Sequence, residues 1–170
     1  MGVRLHDVVG LLVIAALSMV AGLAINRFSS RPISLAYRTP QQRLSAELTT
    51  LINAPPFQLA DLSTVGLDEF RKAMQDHALV LDARGSVYYN EGHVPGAMNL
   101  ARNNFANDYN RLRPTLDKSK DQLIVVYCSG GDCHDSRLVA SALLSLGFSD
   151  VKVFTGGWTE WSAANLPVAR

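Results

Sequence analysis

Both cysteines of the chain, Cys128 and Cys133, fall on one short stretch, Ser129-Gly130-Gly131-Asp132-Cys133-His134-Asp135-Ser136 being the residues that follow the first thiol. An apolar run ends at Tyr127 just before it, and a helical pattern begins just after it. A thiol on a glycine-bearing loop that opens into a helix N-terminus has a definite chemical consequence. Loop N–H groups can point inward and the helix dipole adds positive potential. Both favour the thiolate over the thiol and make the cysteine a nucleophile. The same cradle suits an anionic substrate or a charged sulfur adduct. The competing reading is a buried cysteine at a strand end, acting as a small apolar residue.

The surrounding pattern alternates short apolar runs with helix-like stretches. Residues 123–127 (Leu-Ile-Val-Val-Tyr) are β-branched, uncharged and unbroken, and predict a strand. Residues 78–81, ending in Asp82, residues 98–100 and residues 151–154 predict further strands. Helical spacing is present over 67–76, 102–112, 137–146 and 158–164, with the second stopping before Pro114 and Gly147 capping the third. Strands buried on both faces and separated by helices imply an α/β fold with a central parallel sheet. In such sheets the site lies at the C-terminal strand ends, where Cys128 and Asp82 both stand.

The N-terminal part differs. Residues 8–25 carry no charge and no proline, and as a helix would span roughly 27 Å. One transmembrane helix within an anchor at 1–27 is therefore expected; a cleaved signal peptide ending near Gly22-Leu23-Ala24 is the alternative. Arg27, Arg31, Arg38 and Arg43 follow with no acid before Glu47, against Arg4 and Asp7 on the other flank. That asymmetry places a single-pass protein in the cell membrane with its C-terminal domain leaning to the cytoplasmic side. Residues 28–56 predict a linker containing a short amphipathic helix at 41–52, with Leu44, Leu48 and Leu51 on one side. The globular domain is expected over 57–170.

Three segments, in order, resemble the signatures of the rhodanese-type sulfurtransferase family. The first is Leu79-Val80-Leu81-Asp82-Ala83-Arg84 followed by Tyr89-Asn90-Glu91-Gly92-His93-Val94-Pro95-Gly96-Ala97-Met98-Asn99-Leu100. The second is Val125-Val126-Tyr127-Cys128 with its loop, and the third is Gly156-Gly157-Trp158-Thr159-Glu160-Trp161 with Leu166-Pro167. The resemblance covers roughly 57–168 and implies a small domain with a central parallel sheet. It implies that Cys128 attacks a sulfane-sulfur donor, becomes a persulfide and passes the sulfur to a thiol or other nucleophilic acceptor. The loop Ser129, Gly130, Gly131, Asp132, Cys133, His134, Asp135 and Ser136 would then bind the sulfur group through N–H donors, with no metal and no cofactor.

The sequence also departs from that family. The loop is about two residues longer, contains Asp132 and Asp135, and has no Lys or Arg before Arg137. Two carboxylates there would repel thiosulfate, so a neutral or protein-bound donor is an equal expectation. Cys133 is a candidate resolving thiol that would attack a persulfide or sulfenate on Cys128; a spacer role is the alternative. A metal held by Cys128, Cys133 and His134 has only three good ligands. A phosphatase loop needs an arginine clamp, and Arg137 lies too far along.

Asp82 is expected to order its loop, Arg84 either to face the pocket and assist an anion or to be solvated, and His93 to be a structural hydrogen-bonding residue. Trp158 and Trp161 are expected to pack, and Tyr88 and Tyr89 to be half-buried. Composition closes off other classes. With 48 % hydrophobic residues the 170-residue chain is too apolar for disorder, and at a net charge of +1 it is not a general nucleic-acid binder. A membrane-anchored sulfurtransferase is the leading expectation. A thiol-redox or sulfur-relay protein using Cys128 and Cys133, and a non-catalytic binding module of the same fold, are the alternatives.

Overall fold

The computed structural model describes residues 5–29, 39–53 and 62–170. Two compact units result, Met1–Thr39 and Pro40–Arg170. The first holds α1, Leu5–Phe28. Over Val8–Phe28 its mean hydropathy is 2.7 and none of it is buried, so it is long and apolar enough to cross a membrane. The predicted linker residues 30–38 and 54–56 lie outside the described residues.

The second unit begins with α2, Pro40–Ile52. Then follow β1 (Thr64–Val65), α3 (Leu67–Gln75), β2 (Leu79–Asp82), α4 (Ser86–Glu91) and β3 (Met98–Asn99). A 3-10 turn at Arg102–Asn104 leads into α5 (Phe105–Leu116), β4 (Ile124–Tyr127), α6 (Asp135–Ser145), β5 (Val151–Phe154) and α7 (Gly157–Ala163). The strands form one parallel sheet in the order β1-β5-β4-β2-β3. β4 is central, and each of its four residues is buried. Asp82 on β2 and Phe154 on β5 pair with Tyr127, so the strands flanking β4 end level with it, one residue before Cys128.

Side chains alternate across a strand, and this sorts the core into two layers. Leu81, Ala83, Ile124, Val126, Cys128 and Val153 pack on one face with α2, α5 and α6 residues such as Leu48, Phe105 and Leu143. Val80, Val125, Tyr127 and Phe154 pack on the other with Phe70 and Trp161 from α3 and α7. Phe70 lies in the middle of that second layer, its ring stacked on Phe154 at 4.5 Å between centroids and edge-on to Trp161 at 5.7 Å.

The structure corrects several expectations. The helix expected at 41–52 has the predicted apolar side, but it is not part of a tether. Leu48 is fully buried and Ile52 nearly so, with Leu44 and Leu51 packed against the same cluster. Burying a leucine is worth about 1.5–3 kcal/mol, which fixes the helix to the domain, and the compact unit starts at Pro40 and not at 57. α5 continues through Pro114 to Leu116. A proline this close to the helix end loses one hydrogen bond, and full burial of Leu116 holds the last turn in place. α4 and β1 are too short to show a period in the sequence. Tyr88, on α4, is 61 % exposed and not half-buried. Gly147 does follow α6 as predicted, at φ +86°, with its N–H on the Leu144 carbonyl and that of Phe148 on the Leu143 carbonyl.

Candidate active site

Cys128 leaves the C-terminal end of the central strand and is 2 % exposed. Its Sγ lies 3.2 Å from the Ser136 hydroxyl, in the first turn of α6, and 3.3 Å from the Cys133 carbonyl oxygen. Cys128 and Cys133 are joined as a disulfide, their Cα atoms 6.5 Å apart. Cys133 is half-buried, and Cys128 is the deeper of the two. The loop between them turns at Gly130 and Gly131, both at positive φ, and closes with the Cys133 N–H on the Gly130 carbonyl at 3.3 Å. Among the described residues nothing accepts from the N–H groups of Ser129, Gly130, Gly131, Asp132 and His134.

The loop is held from below by the third signature segment. Trp158 donates its N–H to the Cys128 carbonyl at 2.8 Å, and Thr159 donates both its N–H (2.9 Å) and its hydroxyl (2.8 Å) to the Ser129 carbonyl. Two glycines allow this approach. A Cβ on Gly157, at φ +57°, would stand 2.5 Å from the Cys128 carbonyl oxygen and 2.5 Å from the Gly130 nitrogen. One on Gly130, at φ +100°, would stand 2.2 Å from the Gly156 oxygen. Both distances are shorter than real Cβ contacts, so both positions require glycine.

The carboxylates stand where the sequence puts them. Asp132 is exposed, its carbonyl 2.6 Å from His134 Nδ1. Asp135 is in the first turn of α6, where a negative charge stabilises the helix. Among the described residues no group of three His, Cys, Asp or Glu side chains is arranged to hold a metal ion.

Arg84 is the main correction to the expected site. It is 5 % exposed, neither solvated nor bonded to the loop. Its guanidinium binds the Asp82 carboxylate through Nε (3.0 and 3.1 Å) and Nη2 (2.6 Å), and Nη2 also donates to the Gly92 carbonyl at 2.8 Å. The Trp158 ring stacks on it at 4.6 Å. The reason is the period of the strand: Asp82 pairs with Tyr127, one residue before Cys128, and so shares the opposite face of the sheet. The Asp82 carboxylate takes two further donors. It accepts the Arg84 N–H at 2.9 Å and the Tyr127 hydroxyl at 2.6 Å, while Val94 N–H donates to the same hydroxyl at 3.1 Å. Burial works against the Arg84 charge, but the hydrogen bond and the charge of Asp82 outweigh it and raise its pKa. Burial, with the charge of Asp82 and the hydrogen bond to it, pushes the Tyr127 hydroxyl well above the phenol range. This network ties the end of β2 to β4 and to the 92–94 turn. Tyr127 as its hub is not visible in the sequence, where it reads as one more apolar strand residue. His93 is structural as expected, stacked on Tyr89 at 3.8 Å with Nδ1 3.0 Å from the Tyr89 carbonyl.

Comparison with known proteins agrees with this geometry. Residues 66–164 match the Rhodanese-like domain family, and the chain belongs to it. The chain is 33 % identical over 90 residues to the thiosulfate sulfurtransferase GlpE of Pseudoalteromonas translucida, covering 53 % of this chain and 78 % of that protein. It is 31 % identical over 115 residues to the 3-mercaptopyruvate sulfurtransferase of Escherichia coli, covering 55 % of this chain but 40 % of that one. The fold is shared with the BH2092 protein of Bacillus halodurans, at a TM-score of 0.55 and 24 % identity over 63 % of this chain and 76 % of that one. α1 and α2 both precede the matched residues.

Proposed function

We propose that this chain is a membrane-anchored, single-domain sulfurtransferase that carries sulfane sulfur as a persulfide on Cys128. One observation carries the reading: Cys128 ends the central parallel strand beneath the N-terminus of α6, its sulfur 3.2 Å from the Ser136 hydroxyl. The family membership and the sulfurtransferases similar to this chain support the reaction class. In the first half-reaction the Cys128 thiolate attacks the outer sulfur of a donor R–S–SH. The donor's S–S bond breaks as the new S–S bond forms, R–S⁻ leaves with its electron pair, and Cys128–S–SH remains. In the second half-reaction an acceptor thiolate takes that outer sulfur and restores the Cys128 thiolate. Hydroxyl donation by Ser136 and the loop N–H groups stabilise the anionic sulfur in both. α1 is the proposed anchor, with the domain on the cytoplasmic side.

The bonded sulfurs favour a second reading built on the same residue. Cys133 as a thiolate attacks the inner sulfur of Cys128–S–SH, expels HS⁻ and forms the disulfide. Two electrons from an external thiol reductant then reopen it. In this reading the loop is a redox-gated relay.

The test is intact mass of the reduced full-length protein after incubation with a sulfane-sulfur donor. Wild type is expected to gain the mass of one sulfur atom and Cys128→Ala none. Retention of the added sulfur for longer in Cys133→Ser than in wild type supports the relay, and equal retention overturns it. No gain with thiosulfate or with an organic persulfide overturns the persulfide reading and leaves a non-catalytic binding module.

A further inference from the structure

A cavity of ≈ 340 Å³ lies between α2 and the segment that follows β3, lined by Ile52, Asn53, Arg102, Asn103, Asn104 and Phe105 among others. Ile52 and Phe105 belong to the same core layer as Cys128, with Cys133 packed against that layer. The cavity is therefore on the Cys128 side of the sheet. Its place is also set by the strand ends. Arg102 N–H donates to the Ala83 carbonyl at 3.1 Å, and Ala83 N–H donates to the Tyr127 carbonyl at 2.8 Å. The Arg102 main chain is thus two strand spacings, about 9–10 Å, from the strand that carries Cys128.

The chemistry of the cavity differs from that of the Cys128 loop. Among the described residues Arg102 is the one charged side chain on its wall, accompanied by four asparagines and no carboxylate. Arg102 Nε is buried with no hydrogen-bond partner. Its Nη2 has a single long contact, 3.4 Å, with Asn53 Oδ1 of α2. The arginines of α5 and of the 84–92 region each have a carboxylate: Arg84 has Asp82, Arg111 has Asp108 and Arg113 has Asp117. A guanidinium with open donors in a cavity whose described lining holds no carboxylate is a site for an oxyanion.

We propose that this cavity binds the carboxylate of an organic thiol or persulfide whose sulfur reaches Cys128, with Arg102 as the specificity-determining residue and Asn53 as its support. The proposal rests on the persulfide reading of Cys128. The span separates two kinds of donor. Thiosulfate, whose anionic oxygens are one atom from its outer sulfur, is too compact to hold Arg102 and meet Cys128 together. A molecule with several bonds between carboxylate and sulfur does both. It also keeps its negative charge off Asp132 and Asp135. α2 precedes the residues matched to the family, so the wall that holds Asn53 is a feature of this chain outside the matched region.

The experiment uses full-length protein in detergent and has two arms. In the first, Cys128→Ser protein is titrated with reduced glutathione and with its diethyl ester. Glutathione is expected to bind at least about tenfold more tightly than the ester, and Arg102→Gln in the same background to remove that difference. Arg102→Lys, which keeps the charge and loses the fork, is expected to fall between them. Equal binding with and without Arg102, or no binding of glutathione at millimolar concentration, overturns the proposal. In the second arm, sulfur loading of Cys128 is followed with glutathione persulfide and with thiosulfate. Arg102→Gln is expected to raise KM for the persulfide about tenfold with kcat within about twofold, and to change KM for thiosulfate by much less. An equal effect on both donors overturns the assignment of Arg102. If neither donor loads wild type, the persulfide reading fails, and the first arm still decides the cavity.

Discussion

The Cys128 carbonyl accepts the Trp158 N–H at 2.8 Å, so the residue that would carry sulfur is fixed through its backbone by the start of α7. The side chain is left to Ser136 and Cys133. Scaffold and chemistry use different atoms of one residue, and changes at each have separable consequences.

Gly157→Ala should damage both. The added Cβ would meet Cys128 and Gly130 backbone atoms at 2.5 Å, and its φ of +57° disfavours any side chain. We expect a loss of about 1–3 kcal/mol in stability by chemical denaturation, and slower sulfur loading of the folded fraction. Gly66, around which a Cβ would meet nothing within 4 Å, is the control; its alanine variant should load sulfur like wild type.

Arg84→Ala should unfold the domain easily while leaving the thiol chemistry of the remaining folded protein intact. Removing one partner of a buried ion pair costs about 3–5 kcal/mol, because the other charge stays buried alone. The double variant Asp82→Asn, Arg84→Met should recover part of that loss. Denaturation midpoints report the first effect and the alkylation rate of Cys128 in the reduced folded protein reports the second. A rate that falls as far as in a Ser136 variant would return Arg84 to the site.

Ser136→Ala should slow alkylation of reduced Cys128 at neutral pH by about tenfold. A hydroxyl 3.2 Å from the sulfur is a much stronger donor to the thiolate than to the thiol, and a hydrogen bond to a charged group is worth about 1.5–3 kcal/mol. Little change in melting temperature is expected, and an unchanged rate would show that the loop amides carry the stabilisation alone.

The fold should weaken in alkali through Tyr127. Its hydroxyl is buried on Asp82, and its pKa in the folded state lies above the ordinary value of about 10. Below about pH 10 the phenol is neutral folded and unfolded, and its contribution is complete. Above that the unfolded chain ionises while the folded one does not, so stability falls by up to about 1.4 kcal/mol per pH unit. Tyr89 and Tyr109, also raised by burial, add to the same trend. Tyr127→Phe should be less stable at pH 7 and show a shallower decline between pH 10 and 11.

Much of this was legible in the sequence where a residue's neighbours in the chain are also its neighbours in space. The run at 123–127 is a strand at 124–127, and the helical spacing at 67–76 and 137–146 is α3 and α6 within two residues. The apolar side of Leu44, Leu48 and Leu51 is real. What it packs on was not legible, since α5 and α6 come more than fifty residues later and the burial of Leu48 exists only after they fold back. Arg84 misleads for a related reason. Its position two residues beyond a strand end suggests a pocket, but the face it occupies depends on pairing between β2 and β4, which are separated by 41 residues. Arg102 carries no local signal beyond standing after a predicted strand.

By itself the sequence determined that an apolar helix precedes a parallel α/β domain of the rhodanese-like family, and that both thiols lie on the loop after the best strand. Period and composition act over a few residues, so they survive without any tertiary context. Tertiary structure alone decided the partners: Cys128 bonded to Cys133 beside Ser136, Arg84 turned to Asp82 on the opposite face, α2 built into the domain, and Arg102 left with open donors. Partners across a sheet are set by register and by which face each strand presents, and both exist only once the distant strands have paired.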